Sequence, residues 1–322
     1  MPEFSDSSFR SCDKKTNIHV RRCTPDAPPR GVVQICHGIS EHIGRYDRFA
    51  EALAQRGFVA VGNDHLGHGR SAANADALGF TAPHGGWGLM TGDIRRLFLQ
   101  TRAEFPDVPY FLFGHSMGSF LARTYLILYP DGLDGCILCG TGQPRPAVVS
   151  AGRSLGAAEM RRHGPEYRSQ TLSDLVFGQY NSQFPNPRTP SDWLSRDAQE
   201  VDAYRADPFC DVLPTAALFT DMLSGLAFIG RERNVRRMAK TLPLLLLSGD
   251  ADPVGEQGAG VLRVYRLFLR CGLSDAALKL YPGARHELLH ERNHAQVTED
   301  ILRWLEGRCT PLPKGAQGND EN

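Results

Sequence analysis

Short apolar runs alternate with helix-sized segments along most of this chain, and this alternation restricts its fold more than any other feature. The predicted strands cover residues 31–36, 58–62, 110–113, 133–139, 242–248 and 277–281. The predicted helices cover residues 46–55, 91–104 (with Thr91-Gly92-Asp93 as a cap), 116–129, 258–270 and 294–305. Strands that alternate with helices of about 10 to 15 residues form βαβ units, so the pattern predicts a mostly parallel sheet.

The alternation is interrupted between residues 143 and 240, where strand-like runs disappear. Polar helical segments separated by prolines and glycines occupy this stretch. A helical block inserted between two parts of one sheet is predicted to be a cap. We therefore expect an α/β fold with a doubly wound sheet, whose core consists of residues 1–142 and 241–309 and whose helical cap covers 143–240. The tail, residues 310–322, is predicted to be disordered because it is polar and terminal.

Composition excludes several classes of protein. The 322 residues contain 36 Lys and Arg and 36 Asp and Glu, and this balance argues against a nucleic-acid binder that neutralises phosphates. No apolar run reaches the about 18 to 20 residues of a membrane-spanning helix, and the polar N-terminus has no apolar segment of a secretory signal. Eight scattered cysteines are too few for a disulfide framework at this length. We expect a cytoplasmic protein.

The pentapeptide Gly114-His115-Ser116-Met117-Gly118 lies directly between a predicted strand and a predicted helix. A G-x-S-x-G sequence in this context is typical of a sharp strand-to-helix turn that presents the serine hydroxyl at the edge of the sheet. The alternative is a purely structural turn. A helix N-terminus beneath the serine also favours negative charge there. Ser116 is therefore the candidate nucleophile.

A serine nucleophile needs a base, and the base needs an acid that orients it. On this architecture the expected chain order is serine, acid, histidine. Two predicted strands run into loops that carry Asp250, Asp252 and His286. Because parallel strands end at the same edge of a sheet, both loops are expected to lie beside Ser116. We assign His286 as the base and Asp252 as its partner, with Asp250 as the rival acid.

The negative oxygen formed during attack needs hydrogen-bond donors. Met117, the residue after the nucleophile, is expected to supply one backbone N–H. Ile39, in the loop after the first predicted strand, is expected to supply the second. These donors belong to the main chain, so their geometry matters more than the residue type.

Two metal-like patterns are also present. His286-Glu287-Leu288-Leu289-His290 matches H-E-x-x-H, but that zinc motif needs both histidines on one helix, whereas here the first follows a Pro-Gly turn. Cys136 and Cys139 form a C-x-x-C within an apolar strand, where thiols usually pack as small hydrophobic groups. We predict no metal site from either pattern.

Five segments together resemble the monoacylglycerol lipase and lysophospholipase branch of the α/β-hydrolases, which is also grouped with serine aminopeptidase-like hydrolases. The segments are VVQICHGISEHIGRYDRFAEAL, VGNDHLGHGRS, FLFGHSMGS, LLLSGDADPVG and LYPGARHELLHE. The cap segment SDWLSRDAQEVDAYRADPFC is similar to one in bacterial members. The resemblance places Ser116, Asp252 and His286 on the triad, and Ile39 and Met117 on the oxyanion donors.

The resemblance further implies a serine ester hydrolase that needs no cofactor and cleaves monoacylglycerol or lysophospholipid-type esters. It places Glu41 and Arg45 on positions that line the cavity on the alcohol side. A salt bridge that only holds the loop is the alternative for this pair. An amidase or aminopeptidase with the same triad, or a binding protein without activity, are the alternative functions. The sequence does not indicate an oligomeric state.

Three further features bear on the substrate. The oxyanion loop reads HGIS where the better-known eukaryotic members have small residues, so Ile39 is expected to narrow the mouth of the site. The cap carries a basic run over residues 231–240, which is either a solvated helix face or a surface for transient contact with anionic membranes. Apolar cap residues at helical spacing are expected to pack or to line an acyl tunnel, among them Leu213, Leu218, Phe219, Met222, Leu223, Leu226 and Phe228.

Overall fold

A computed structural model describes residues 2–309, and an eight-stranded sheet lies at its centre. The strands are β1 (Glu3–Arg10), β2 (Asn17–Thr24), β3 (Gly31–Cys36), β4 (Phe58–Asn63), β5 (Tyr110–His115), β6 (Gly135–Cys139), β7 (Leu244–Gly249) and β8 (Ala276–Tyr281). Their order in the sheet is β1-β2-β4-β3-β5-β6-β7-β8; β1 and β2 pair antiparallel with their neighbours, whereas β3–β8 are parallel to one another. The sheet is therefore mostly parallel, as the sequence predicts.

Helices cover both faces of this sheet, because its central strands are buried on both sides. One apolar cluster joins α2 (Gly86–Glu104), α3 (Met117–Leu128) and α9 (Ala259–Arg270) to one face. A second cluster joins α1 (Asp47–Gln55) and α10 (His294–Glu306) to the other. This arrangement is the predicted doubly wound α/β-hydrolase fold.

The segment between β6 and β7 forms five helices, and its described residues contain no strand. They are α4 (Pro146–His163), α5 (Gln170–Phe177), α6 (Ala198–Ala206), α7 (Ala216–Ile229) and the short α8 (Glu232–Val235). Helix α7 packs on α4 and also on α3 of the core. The boundaries of the cap at 143 and 240 stay a prediction, and the tail 310–322 lies outside the described residues. Within residues 2–309 no helix is long and apolar enough to cross a membrane.

The sequence analysis missed the N-terminal hairpin of β1 and β2 and misplaced the start of α2. This helix begins at Gly86, so Thr91-Gly92-Asp93 is not its cap. Instead, buried Asp93 accepts hydrogen bonds from Ser11 Oγ (2.7 Å) and Cys12 N (2.6 Å) in the hairpin turn. The polar residues that resembled a cap thus attach the hairpin to the core.

Candidate active site

Ser116 lies in a strained turn between β5 and α3. Its backbone has φ 51° and ψ −121°, a combination that costs a non-glycine residue about 1–3 kcal/mol. The Ser116 N–H donates to the carbonyl of Cys139 on the neighbouring strand at 3.0 Å, which helps to hold this conformation. The turn places the largely buried side chain at the carboxyl edge of the sheet.

Two glycines make this turn possible because the backbone approaches itself closely. A Cβ atom at Gly114 would lie 2.5 Å from the carbonyl oxygen of Gly118, and one at Gly118 would lie 2.1 Å from that of Cys36. Both contacts are far inside van der Waals distance. The glycines on either side of Ser116 are therefore required by packing.

His286 and Asp252 form a buried pair on the loops after β8 and β7. His286 Nδ1 lies 3.0 Å from each carboxylate oxygen of Asp252, and both residues are buried. The backbone N–H of Val254 donates to Asp252 Oδ1 at 2.9 Å and orients the carboxylate. Asp250, the rival acid, is exposed and accepts from the backbone N–H of Gly283 at 2.6 Å. The geometry therefore pairs the histidine with Asp252.

The other ring nitrogen of His286 is not used by the pair with Asp252. His286 Nε2 is buried and has no hydrogen-bond partner among residues 2–309. Ser116 and His286 line the same cavity. The ring of Trp193, from the segment between α5 and α6, packs on the imidazole with 5.1 Å between the centroids. These contacts leave Nε2 free to exchange a proton within this cavity.

The expected oxyanion donors belong to two segments that meet at the serine. A Cβ atom at Gly38 would lie 3.1 Å from Ser116 Cβ, which places the loop of Ile39 against the nucleophile. Met117 is the first residue of α3, where a backbone N–H has no acceptor within the helix. The loop of Ile39 and the start of α3 thus both adjoin Ser116.

A buried polar network behind this loop contains Glu41 and Arg45. Glu41 Oε1 accepts from the backbone N–H of Gly38, from Tyr46 Oη (2.9 Å) and from the ring of His115 at Nδ1 (3.1 Å). Arg45 donates to Glu41 at 2.9 Å and to both oxygens of Glu287 at 2.6 and 2.8 Å. Glu41 lines the cavity at Ser116, whereas Arg45 lies behind it and does not line this cavity. The network joins the loop after β3 to the loop that carries His286.

The charges in this network shift one another's pKa. Burial alone would raise the pKa of Glu41, but the hydrogen bond from His115 and the charge of Arg45 hold it well below its usual range. Burial alone would lower the pKa of His115, but its hydrogen bond to Glu41 raises it above 6.5. The paired charged forms are therefore the stable ones.

We expect His115→Gln to destabilise the protein more near neutral pH than at alkaline pH. The pKa of His115 is higher in the folded protein than in the unfolded chain, where it is 6.5. The stability that this difference contributes is fully present below pH 6.5 and is lost as the pH rises through the pKa of the folded state. The wild-type free energy of unfolding, measured with urea, should therefore exceed that of His115→Gln by an advantage that is about 1 kcal/mol larger at about pH 6 than at about pH 9. An advantage that stayed the same at both pH values would contradict a charged His115–Glu41 pair.

Two cavities meet at Ser116, and one carries more polar and charged groups than the other. The first, called the polar cavity below, has a volume of about 220 Å³; apolar side chains such as Leu213 line it together with the polar or charged groups Ser40, Glu41, His115, Asp211 and Glu287. The apolar cavity, of about 210 Å³, runs under the cap and is lined by side chains including Phe120, Val149, Met222, Leu223 and Leu226. Ile39, Phe177 and Trp193 line both cavities, so Ile39 lies at their junction.

The metal-like patterns of the sequence do not assemble metal sites. His290 follows in a short turn rather than on a helix with His286, and its Nδ1 lies 2.7 Å from the carboxylate of Glu200. Cys136 and Cys139 contribute to apolar clusters on opposite faces of the sheet. A different group, His42, Asp207 and Cys210, brings its ligand atoms within 4.8 Å of one another away from Ser116, and His42 there already lies 2.9 Å from Asp207.

Three residues of the site were missed by sequence reasoning: His115, Trp193 and Glu287. His115 directly precedes Ser116, and Glu287 directly follows His286. Their positions beside the candidate triad were therefore a usable signal. Trp193 comes from the helical segment, and no local pattern indicates that it reaches His286. Its contact depends on how the cap packs on the core.

Comparison with known proteins places this architecture among characterised enzymes. The sequence profile of the serine aminopeptidase S33 family matches residues 27–293. The chain belongs to the serine aminopeptidase S33 family. Within similar sequences, a monoacylglycerol lipase of Mycolicibacterium smegmatis is 30% identical over 88% of this chain and 90% of that protein. A monoglyceride lipase of Mus musculus is 30% identical over 92% of this chain and 89% of that protein.

A solved structure agrees with the family assignment. A highly thermostable carboxyl esterase from Bacillus coagulans, in complex with glycerol, superposes with a TM-score of 0.88 and 31% identity. The match covers 94% of this chain and 98% of that one. This S33 family member is therefore an α/β-hydrolase and a hydrolytic enzyme, as the sequence predicts.

Proposed function

We propose that this enzyme hydrolyses carboxylic esters of the monoacylglycerol or lysophospholipid type through a covalent acyl-enzyme. The observation that carries the proposal is the meeting of a polar and an apolar cavity at Ser116. An ester of this type has a polar alcohol and one long acyl chain. Each part has a chemically matching cavity, and the reacting carbonyl then lies at the serine.

In the first step Ser116 Oγ attacks the acyl carbonyl while His286 Nε2 takes its proton. Asp252 holds the imidazole at Nδ1 and stabilises its charged form. The backbone N–H groups of Ile39 and Met117 stabilise the negative oxygen. Collapse of the intermediate releases the alcohol, which takes the proton from His286. Water then attacks the acyl-enzyme along the reverse proton path and releases the carboxylic acid.

Glu41 and Arg45 have different roles in this proposal. Glu41 lines the polar cavity and is the group that contacts the alcohol portion of the substrate. Arg45 acts through Glu41 and Glu287, whose carboxylates it orients. The chain itself supplies nucleophile, base and oxyanion donors, so the proposed mechanism needs neither cofactor nor metal.

Ester hydrolysis is favoured over the amidase or aminopeptidase alternative. An aminopeptidase site needs a free carboxylate for the ammonium group of its substrate. The carboxylates that line the polar cavity are paired with arginines: Glu41 and Glu287 with Arg45, and Asp211 with Arg205 at 3.5 Å. The similar proteins named above are lipases and an esterase, which supports the same choice.

The proposal also covers the role of the cap, the cellular location of the protein and its partners. Residues 143–240 act as a cap that covers the acyl chain and makes transient contact with a lipid surface. All eight cysteines are free, which suits a reducing, cytoplasmic location. Small lipid-like esters, and not nucleic acids, are the proposed partners.

The test is release of fatty acid from 1-monooleoylglycerol and oleoyl lysophosphatidylcholine, compared with a short-chain ester and a chromogenic anilide. We expect turnover of at least one long-chain ester and little turnover of the anilide. Met222→Trp fills the apolar cavity, so it should lower kcat/KM for the long-chain ester by about tenfold or more and affect the short ester little. Turnover of the anilide above all esters would overturn the proposal. Equal effects of Met222→Trp on long and short esters would remove the acyl role of the apolar cavity.

A further inference from the structure

A second groove, which Ser116 does not line, contains six arginines among its sixteen lining residues. It has a volume of about 710 Å³ and lies where the start of α4, the end of α7, α8 and α9 come together. Its floor is apolar and includes Val149, Leu226 and Leu267. Its cationic side chains are Arg145, Arg153, Arg231, Arg263, Arg266 and Arg270.

Most of this positive charge is not neutralised by the protein. Glu232 is the one carboxylate among the described residues that line the groove, and it already pairs with Arg270 at 3.2 Å. Within residues 2–309, the side chains of Arg145, Arg231 and Arg266 make no hydrogen bond or ion pair. The whole chain has no net charge, so this concentration of cations is local. A concave surface of one sign attracts ions of the opposite sign.

The groove adjoins the apolar cavity that leads to Ser116. Pro144, Val149 and Leu226 line both. Two apolar side chains that line the cavity are also exposed, Val148 by 52% and Leu175 by 46%. The opening of the apolar cavity thus carries exposed apolar groups beside a cationic groove. This pairing of apolar groups and cations is typical of protein surfaces that lie at a lipid interface.

We propose that the arginine-lined groove binds the phosphate head groups of an anionic lipid surface and places the opening of the apolar cavity on that surface. Guanidinium groups bind phosphate oxygens through two parallel hydrogen bonds. The unpaired arginines come from three separate segments, which suits several head groups better than a single enclosed anion. No aromatic side chain lines the groove in the described part of the chain, so it lacks the stacking groups that single-stranded nucleic acids need.

Binding in this groove does not involve Ser116, so it can be tested apart from catalysis. The experiment is co-sedimentation of the full chain with vesicles of phosphatidylcholine alone or of phosphatidylcholine mixed with phosphatidylglycerol. We expect about tenfold or more tighter binding to the anionic vesicles, and loss of that preference at high salt. The double variant Arg231→Glu/Arg266→Glu should lose this preference and still hydrolyse a dissolved short-chain ester at the wild-type rate.

A matched control carries the same change of charge elsewhere on the cap. Arg161 and Arg162 are exposed near the other end of α4, about 24 Å along the helix from Arg145, and do not line the groove. Arg161→Glu/Arg162→Glu should keep the preference for anionic vesicles. Equal binding of the wild type to both vesicles, or equal losses in the two double variants, would overturn the proposal. Thermal stabilisation by inorganic phosphate without binding to anionic vesicles would also overturn it, because the ligand would then be a soluble anion.

Discussion

Ser116→Ala should lower kcat/KM for ester hydrolysis by about 10⁴-fold or more, the largest effect that we expect from any single substitution in this chain. Ser116 forms the covalent bond to the acyl group in the proposed mechanism, and alanine has no nucleophile to replace it. The backbone donors at Ile39 and Met117 are unaffected and would leave only a small residual rate. Initial rates on the long-chain ester and covalent labelling by a fluorophosphonate measure the effect.

A second serine provides the control for this experiment. Ser173 lines the same cavity, but the structure gives its hydroxyl no contact with His286. Ser173→Ala should keep most of the activity and should still be labelled. If Ser116→Ala were labelled or active like the wild type, the nucleophile would lie elsewhere and the proposed mechanism would be wrong.

Asp252→Asn should lower kcat by about 10³- to 10⁴-fold while the protein stays folded. The carboxylate accepts from His286 Nδ1, and this bond keeps Nε2 unprotonated and able to take the serine proton. An amide of the same size has no charge to stabilise the imidazolium and favours the wrong tautomer. Rates on the short-chain ester, with circular dichroism as the check on folding, measure the loss.

Asp250→Asn is the matched control, because the two aspartates lie on one loop and the change is the same. Asp250 is exposed, and within residues 2–309 the hydrogen bond of its side chain is the one from the backbone N–H of Gly283. Its substitution should leave kcat nearly unchanged and cost at most about 1 kcal/mol of unfolding free energy. A larger loss of activity at Asp250 than at Asp252 would reassign the acid of the triad.

The loops of the site were predictable because topology alone brings them together. Once β5, β7 and β8 are parallel strands of one sheet, the residues that follow them must share an edge. The sharp turn at Ser116 was predictable for a local reason, since its glycines lie within the same pentapeptide. The N-terminal hairpin was not, because most of β1 is polar and exposed and resembles a loop in sequence.

Other parts of the site depend on contacts between distant residues. Arg45 and Glu287 are 242 positions apart, and no periodicity or motif links them. The two cavities have the same origin, since their walls come from cap helices and core loops that meet only in the folded protein. Sequence spacing can indicate which side chains carry the chemistry. It does not determine the shape of the space that they enclose.

The Arg45 bridge restricts how this enzyme can be re-engineered. One guanidinium holds both the loop of Ile39, through Glu41, and the loop of His286, through Glu287. Replacing either loop with one from another hydrolase would leave a buried charge without its partner, at a cost of about 3–5 kcal/mol. The two loops must therefore be exchanged together as one module. Substrate preference is better altered by substituting the side chain of Ile39 or residues of the cap, because these changes leave the bridge intact.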